Sequence, residues 1–432
     1  MYYSRWATDE EIKQRLQKVT EEDKKDFSKS GIPLSFDENS LYLDTQETHN
    51  LVIGATGSGK TQSTVLPMIK LSCLAGEALI VNDPKGELYQ STANLFIENG
   101  YKTYLLDLDS LKYGEGWNPL IVPYHLYKKD NKDKAIKMVE DIAYYLLYEN
   151  VNITADPFWF NSTVDFFTGM ILYLFENFEE KDINFNKLNE LIEGVNTDGS
   201  KLLNNLEINS PIYKNLVGTL KAPSETKGSI LSVFNQKFKK YMTRTSLVDI
   251  LSRNEIKLDE LIDTNYVIYI MSGKQLVSSN IVPLFVNQVL DITERREKRL
   301  NIILDEFDEL VPINGFNREL DFCRGNNIRF TVVIKSFKNL LNTYGENNTR
   351  LIELCFGNII YLYSNDIYTL EEISRLCGMN NNNKPLISVE ELKVIPQFNA
   401  IVNMVRMYPI KTKLIPDYQI NWNLEFKKKD FE

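Results

Sequence analysis

The sequence predicts an α/β nucleotide-binding protein with a mostly parallel central sheet, interrupted by an all-α block. Three observations carry that expectation. Gly54-Ala55-Thr56-Gly57-Ser58-Gly59-Lys60-Thr61 fits the phosphate-loop pattern G-x-x-x-x-G-K-[ST], with a short apolar run before it and a segment of helical character after it. Short apolar runs recur at 51–53, 78–81, 101–107, 266–271, 302–304, 329–334, 358–363 and 400–405. They are runs rather than alternations, as expected of strands buried on both faces of a parallel sheet. From about 128 to 262 the strand signal gives way to helical periodicity.

The 432 residues suffice for two or three domains. An apolar fraction of 43% and a charged fraction of 25% are those of a soluble globular protein. The net charge of −10 excludes a polycation that coats nucleic acid, so any such contact is local. Four cysteines without a C-x-x-C pair predict reduced, buried thiols in an intracellular protein. Two histidines, His49 and His125, are too few for a histidine-rich metal site and argue against a Ser-His-Asp triad. No apolar run approaches the ~20 residues a membrane helix needs. The acidic N-terminus does not resemble a signal peptide, so the chain is not expected to anchor itself.

In chain order, residues 1–48 are expected to form an approach segment. Thr8 and Glu11 form a capping-box pair opening a helix, which fades into the charged stretch 20–25; residues 36–49 suit a short hairpin. Residues 49–127 form the first part of the nucleotide-binding domain. Its first helix, Thr61–Leu74, holds Pro67 and is expected to kink or break there. Residues 128–262 form the inserted all-α domain. Ala135–Tyr148 and Asn161–Phe175 are amphipathic, Asp156-Pro157 starts the second of these helices, and 235–244 is basic. Residues 263–432 return to strands alternating with helices and complete the nucleotide domain, ending in a lysine-rich tail at 427–429.

The chemistry follows from two motifs. Gly54, Gly57 and Gly59 let backbone amides approach a phosphate, helped by the positive end of the following helix. Lys60 is expected in solvent-facing phosphate space, reaching the β- and γ-phosphates of ATP, and Thr61 on a magnesium ion. The second motif is the apolar run at 302–304 ending in Asp305 and Glu306. Asp305 would hold magnesium through water, and Glu306 would polarise the attacking water. Arg324, and after it Arg329, are candidates for an arginine that acts on a neighbouring subunit's phosphate, Arg324 being favoured. Asp83-Pro-Lys-Gly-Glu87 sits at a strand end, where open α/β sheets bind ligands, but a plain turn has the same local sequence.

Taken in this order, the motifs resemble the coupling-protein ATPases of type IV secretion and conjugation, the TraG/TraD-like family. The likeness spans nearly the whole chain: residues 3–8, Gly54–Thr61 with Pro67, Asp83–Glu87, Asn118-Pro119, Asp156-Pro-Phe-Trp159, Leu304-Asp-Glu-Phe307, Arg324-Gly325, Ser336, Tyr344-Gly345 and Tyr408-Pro-Ile410. The resemblance implies a RecA-like motor domain, an inserted all-α domain and a homo-hexameric ring. It also implies ATP-driven transfer of DNA, taken as single-stranded with its relaxase, to a secretion channel. There are two departures. The family's N-terminal transmembrane helices are absent, which implies a peripheral place at the cytoplasmic face of the bacterial membrane through a separate anchor protein. Lys335 and Asn339 stand where the family usually has glutamines; a lysine cannot accept a hydrogen bond, so phosphate sensing at that strand end is in doubt. Two other readings stay open: a nucleotide-binding docking adaptor with little hydrolysis, and another DNA-pumping ring ATPase of the FtsK or packaging type.

Overall fold

The computed structural model describes residues 3–20, 23, 27–37, 40–148, 156–261, 264–274, 277–293, 296–422 and 428–431, apart from the side chains of 196–198 and 200. Of the charged stretch 20–25 only Thr20 and Asp23 fall among them, and Lys427 falls outside. The chain packs as two compact units. One comprises 1–105, 261–271 and 294–432; the other comprises 106–260 and 272–293. The helical unit therefore takes in 106–127 and 272–293, outside the 128–262 expected from periodicity. Ser278–Ile292 is a helix buried on nearly every side, and such a helix shows no clean amphipathic stripe.

The strands in chain order are β1 (Gln17–Val19), β2 (Ile32–Asp37), β3 (Ser40–Asp44), β4 (His49–Gly54), β5 (Ala78–Asn82), β6 (Lys102–Asp107), β7 (Tyr266–Met271), β8 (Leu300–Leu304), β9 (Ile328–Ile334), β10 (Phe356–Tyr363), β11 (Asn399–Met404) and β12 (Ile410–Lys413). Nine of them form one sheet in the order β12-β11-β10-β4-β9-β8-β5-β7-β6. The contacts β10–β4, β4–β9, β9–β8, β8–β5 and β5–β7 are parallel. Every residue of β4, β5, β7, β8 and β9 is buried, which is why the sequence shows runs there. The β11–β12 hairpin closes one edge antiparallel, and β12 is half-exposed. Its Ile-Lys-Thr-Lys alternation was the available signal for that strand.

Residues 1–48 belong to the same unit as the phosphate loop. Thr8 and Glu11 make the expected capping box on a helix that stops at Arg15. β1, β3 and β2 form a three-stranded antiparallel sheet; the hairpin expected over 36–49 lies earlier, as β2–β3 over 32–44. Ile12, Leu16, Ile32, Leu34 and Tyr42 share a core with Val52, Val65, Val81 and Ile303. A buried polar network adds to the attachment. Ser30 N–H donates to Glu77 at 2.9 Å, Asn301 Nδ2 donates to Glu77 at 2.7 Å, and Arg329 donates to Asn301 at 3.0 Å and to Ser30 Oγ at 2.9 Å. Burial, then the nearby Arg299 charge, depresses the Arg329 guanidinium to about 9. With its side chain spent in this network, Arg329 is not available to a neighbouring subunit.

The helical unit is organised by aromatic packing. Pro157–Asn177 starts as expected, with the Asp156 carboxylate accepting from Phe158 N–H at 2.9 Å. Gly169 in that helix lets Pro211–Leu220 approach; a Cβ there would stand 2.6 Å from Leu216. Phe166, Phe167, Phe234 and Phe238 form a ring cluster with centroids 4.9–5.4 Å apart. Lys132–Leu147 buries Ala135, Met138, Val139, Ile142 and Leu146, the stripe expected of it.

His49 yields a stability prediction. Its Nδ1 accepts from Phe330 N–H at 3.0 Å, so Nε2 carries the proton and donates to the Leu320 carbonyl at 2.7 Å. Burial first, then the Arg324 and Arg329 charges, push the imidazole down to about 4; the Leu320 hydrogen bond opposes them. The unfolded chain takes up this proton near pH 6.5 and the folded chain does not, so stability falls as pH drops through that window. The expected loss between pH 7 and 5 is about 2 kcal/mol. Urea unfolding should show this decrement in the wild type and not in His49→Gln; equal pH dependence in both would remove His49 as its source.

Candidate active site

Four parallel strands, β4, β9, β8 and β5, lie side by side and end at one edge of the sheet. β4 ends in the phosphate loop, β9 in Lys335-Ser336, β8 in Asp305-Glu306 and β5 in Asn82-Asp83. The edge joins segments up to about 280 residues apart, and adjacent strand ends put them within reach of one ligand.

The loop is built as its glycines require. Gly57 and Gly59 have φ of +83° and +90°, a region that residues with a Cβ avoid. At Gly54 a Cβ would come within 2.3 Å of Ser58 Oγ. Ala55 N–H donates to the Tyr363 carbonyl at 2.8 Å and ties the loop to β10. Lys60 differs from expectation: it is only 8% exposed, and its Nζ donates to the Gly54 carbonyl at 3.0 Å. The ammonium thus lies against a carbonyl of its own loop. Residues 61–65 form a single π turn, with Leu66 N–H donating to the Thr61 carbonyl, and an α-helix follows over Leu66–Leu74. Pro67 explains the switch. It lacks an N–H, its ring would clash with the carbonyl of Ser63 in a continuous α-helix, and it sits instead in the first turn of a new one.

The donor set fits a nucleotide phosphate. Ser58 Oγ is buried and has no partner among the described residues, and Lys60 beside it supplies the cation. Asp305 Oδ1 accepts from Glu306 N–H at 3.0 Å, and Asn82 Nδ2 donates to the Asp305 carbonyl at 2.7 Å, locking the ends of β8 and β5 together. Burial pushes the Asp305 carboxyl up; Lys60 and the Glu306 N–H pull against it, and the Glu306 charge adds to it. Asp83 is pushed to about 7 by burial, partly offset by the Tyr89 N–H at 2.8 Å and reinforced by the Asp305 charge. The segment 83–87 is thus part of the site's edge. Among the described residues, no group of three or more His, Cys, Asp or Glu could hold a metal ion. Thr61 and Asp305 therefore fit a magnesium ion only together with phosphate oxygens and water.

Glu306 has φ of +53°, which turns its side chain out of the strand line. Its carboxylate Oε2 lies 4.0 Å from Lys335 Nζ, which also hydrogen-bonds Glu309. The Lys335 ammonium is raised: burial works against it, and the Glu309 hydrogen bond with the Glu306 charge outweighs burial. Arg324 closes the helix Phe316–Gly325 just before β9 begins, so it lies at the opposite edge of the sheet from its own phosphate loop. Its Nη2 donates to the Cys355 carbonyl at 3.0 Å.

Sequence reasoning missed three contributors. Gln397 Nε2 donates to the Gly57 carbonyl at 3.3 Å. Phe398, at φ +64°, rests its ring where a Cβ on Gly59 would be, 2.6 Å away. Asp308 accepts from Lys335 N–H at 3.1 Å and Asn339 Nδ2 at 2.9 Å. Gln397 and Phe398 carry no local signal of their place, because only the pairing of β11 with β10 brings them to the loop. The residues after Asp305-Glu306 could have suggested Asp308.

Comparison with known proteins decides the family. The family model described as type IV secretory system conjugative DNA transfer matches residues 5–411. The chain belongs to that family. It is 21% identical over 350 residues to the type IV secretion system-coupling protein VirD4 of Bartonella henselae, across 78% of this chain and 54% of VirD4. The chain thus spans about half the length of that curated relative. Its fold is that of the plasmid coupling protein TrwB. The TrwB complex with the non-hydrolysable ATP analogue ADPNP superposes with a TM-score of 0.72 at 15% identity, covering 96% of this chain and 94% of that one. The TrwB complex with ADP and Mg2+ gives 0.69 at 15% identity over the same shares. The RecA-like α/β fold with a helical domain, expected from the family resemblance, is therefore the fold observed. No described helix is long and apolar enough to cross a membrane.

Proposed function

We propose that this chain is an ATP-hydrolysing coupling protein that drives DNA transfer into a type IV secretion channel. The observation that carries the reading is the phosphate loop at the end of β4 with Asp305 and Glu306 two strands away at the end of β8. The nucleotides held by the TrwB structures, ADPNP and ADP with Mg2+, support ATP and magnesium as the ligands of this edge.

Loop amides 54–61 and Lys60 hold the β- and γ-phosphates and offset their charge. Thr61 and Asp305 would hold a magnesium ion, which would neutralise charge as the phosphate transfers. Glu306 orients water for in-line attack. A water oxygen–γ-phosphorus bond forms, the bond from γ-phosphorus to the bridging oxygen breaks, and the water proton passes to Glu306; the products are ADP and inorganic phosphate.

Residues 49–105, 261–271 and 294–432 act as the motor domain, with 106–260 and 272–293 as the inserted all-α domain. The working assembly is a homo-hexamer at the cytoplasmic face of the membrane, receiving DNA with its relaxase. Measuring ATP turnover with and without single- and double-stranded DNA tests this reading. DNA-stimulated turnover supports it; nucleotide binding without turnover under either condition favours the docking adaptor, a reading kept in view by the Lys335–Glu306 pairing.

Arg324 is proposed as the residue that stabilises a neighbour's transferring phosphate. Its place at the far edge from its own loop suits a neighbour's phosphate rather than its own, and the contact its guanidinium makes is one hydrogen bond to the Cys355 carbonyl. Arg324→Ala rings and Lys60→Ala rings are each expected to be inactive. Mixing them should restore part of the turnover, because some interfaces regain an intact pair. No recovery at any ratio, with mixed assembly verified, would remove Arg324 from the mechanism.

A further inference from the structure

Lys335 stands at the end of β9, and β9 runs between β4, which carries the phosphate loop, and β8, which carries Asp305 and Glu306. Its backbone is pinned. The Lys335 N–H and Asn339 Nδ2 both donate to Asp308 Oδ2, and Asn339 N–H donates to Ser336 Oγ at 3.2 Å, starting the next helix. Its side chain is held only by charge. The ammonium hydrogen-bonds Glu309 and lies 4.0 Å from Glu306 Oε2. Side-chain exposures of 51% for Glu309, 28% for Lys335 and 18% for Glu306 order the three from solvent into the site.

A lysine head is a compact charge on a flexible stem, with donors and no acceptor, so it follows the strongest anion within reach. In this arrangement its partners include the carboxylate that must take the proton from water. An ammonium 4.0 Å from that carboxylate competes with water for its oxygens. ATP bound at the end of the adjacent strand would offer a more highly charged partner on the other side of β9. ADP lacks the terminal phosphate that would do so.

We infer that Lys335 restrains Glu306 until ATP binds, then moves its ammonium onto the terminal phosphate and leaves Glu306 free to act on water. The inference rests on the ATPase reading. It gives the chain a way to tell ATP from ADP without a glutamine at this strand end: attraction of a cation instead of a neutral hydrogen bond. It also predicts little hydrolysis unless the ammonium has moved.

The test uses the full-length chain and fluorescent analogues of ATP and ADP, with two variants expected to shift affinity in opposite directions. Lys335→Met keeps the stem and removes the charge. Its ATP affinity should fall about tenfold with ADP affinity unchanged, the loss of one charge-assisted contact. Glu309→Gln, at an exposed position, loosens the resting contact; ATP affinity should rise severalfold, again without change for ADP. Lys335→Arg should retain the preference for ATP. An unchanged ATP-to-ADP ratio in Lys335→Met, equal losses for both nucleotides, or weaker ATP binding in Glu309→Gln would each overturn the inference. Wild-type turnover is measured alongside. A wild type that discriminates through Lys335 and does not hydrolyse ATP would refute the ATPase reading and leave the discrimination standing.

Discussion

Lys60→Ala is expected to abolish ATP hydrolysis, with turnover falling at least about a hundredfold, the scale of losing a cation aimed at developing phosphate charge. DNA transfer should be lost with it. Lys60 is buried, and among the described residues its hydrogen bond is to the Gly54 carbonyl, so the truncation also carries a stability cost of about 1 kcal/mol. Such a loss lowers the melting temperature by a few degrees and leaves the sheet intact, because the core beneath the loop is Val52, Val65 and Val81 rather than the lysine stem. The measurements are steady-state phosphate release and a thermal melt on the same preparation. Near wild-type turnover from a folded variant would remove the loop from the chemistry.

Glu306→Gln is expected to bind ATP at wild-type affinity and to hydrolyse it about 10²–10⁴-fold more slowly, the range assigned to a positioned general base. The amide keeps the shape of the side chain and its positive φ but loses the charge that takes a proton from water. The same substitution frees Lys335 from one of its two anionic partners, so under the restraint described above ATP affinity stays at or rises above the wild-type value. Binding and single-turnover hydrolysis should be measured separately. Collapse of ATP affinity with an unchanged hydrolytic step would make Glu306 a ligand-holding or structural residue instead.

Much of the nucleotide-binding edge was legible in the chain because its signals are local. The strand before the loop, the positive-φ glycines, the break at Pro67 and the paired carboxylates after β8 each lie within a few residues of their own cause. The Asp156-Pro157 helix start and the Thr8–Glu11 capping box were legible for the same reason. The limits of the helical unit were not. Periodicity marks helices with one wet face, and it passed over Ser278–Ile292, whose faces are nearly all dry.

What the sequence by itself determined is the kind of chemistry and the order of the elements. Spacing within eight residues specifies a phosphate loop, and apolar runs of strand length specify a sheet covered on both sides. Only the tertiary structure decided which residues share the site. Strand order brings β9 between β4 and β8, setting Lys335 against Glu306, and the β10–β11 pairing lays Gln397 and Phe398 on the loop. Folding turned Lys60 inward to the Gly54 carbonyl and spent Arg329 in a buried network that fastens residues 30–45 to the sheet. The physical reason is that strand adjacency and burial are set by the whole core's packing. A residue's sequence neighbours record the backbone it needs and not the charge it will face.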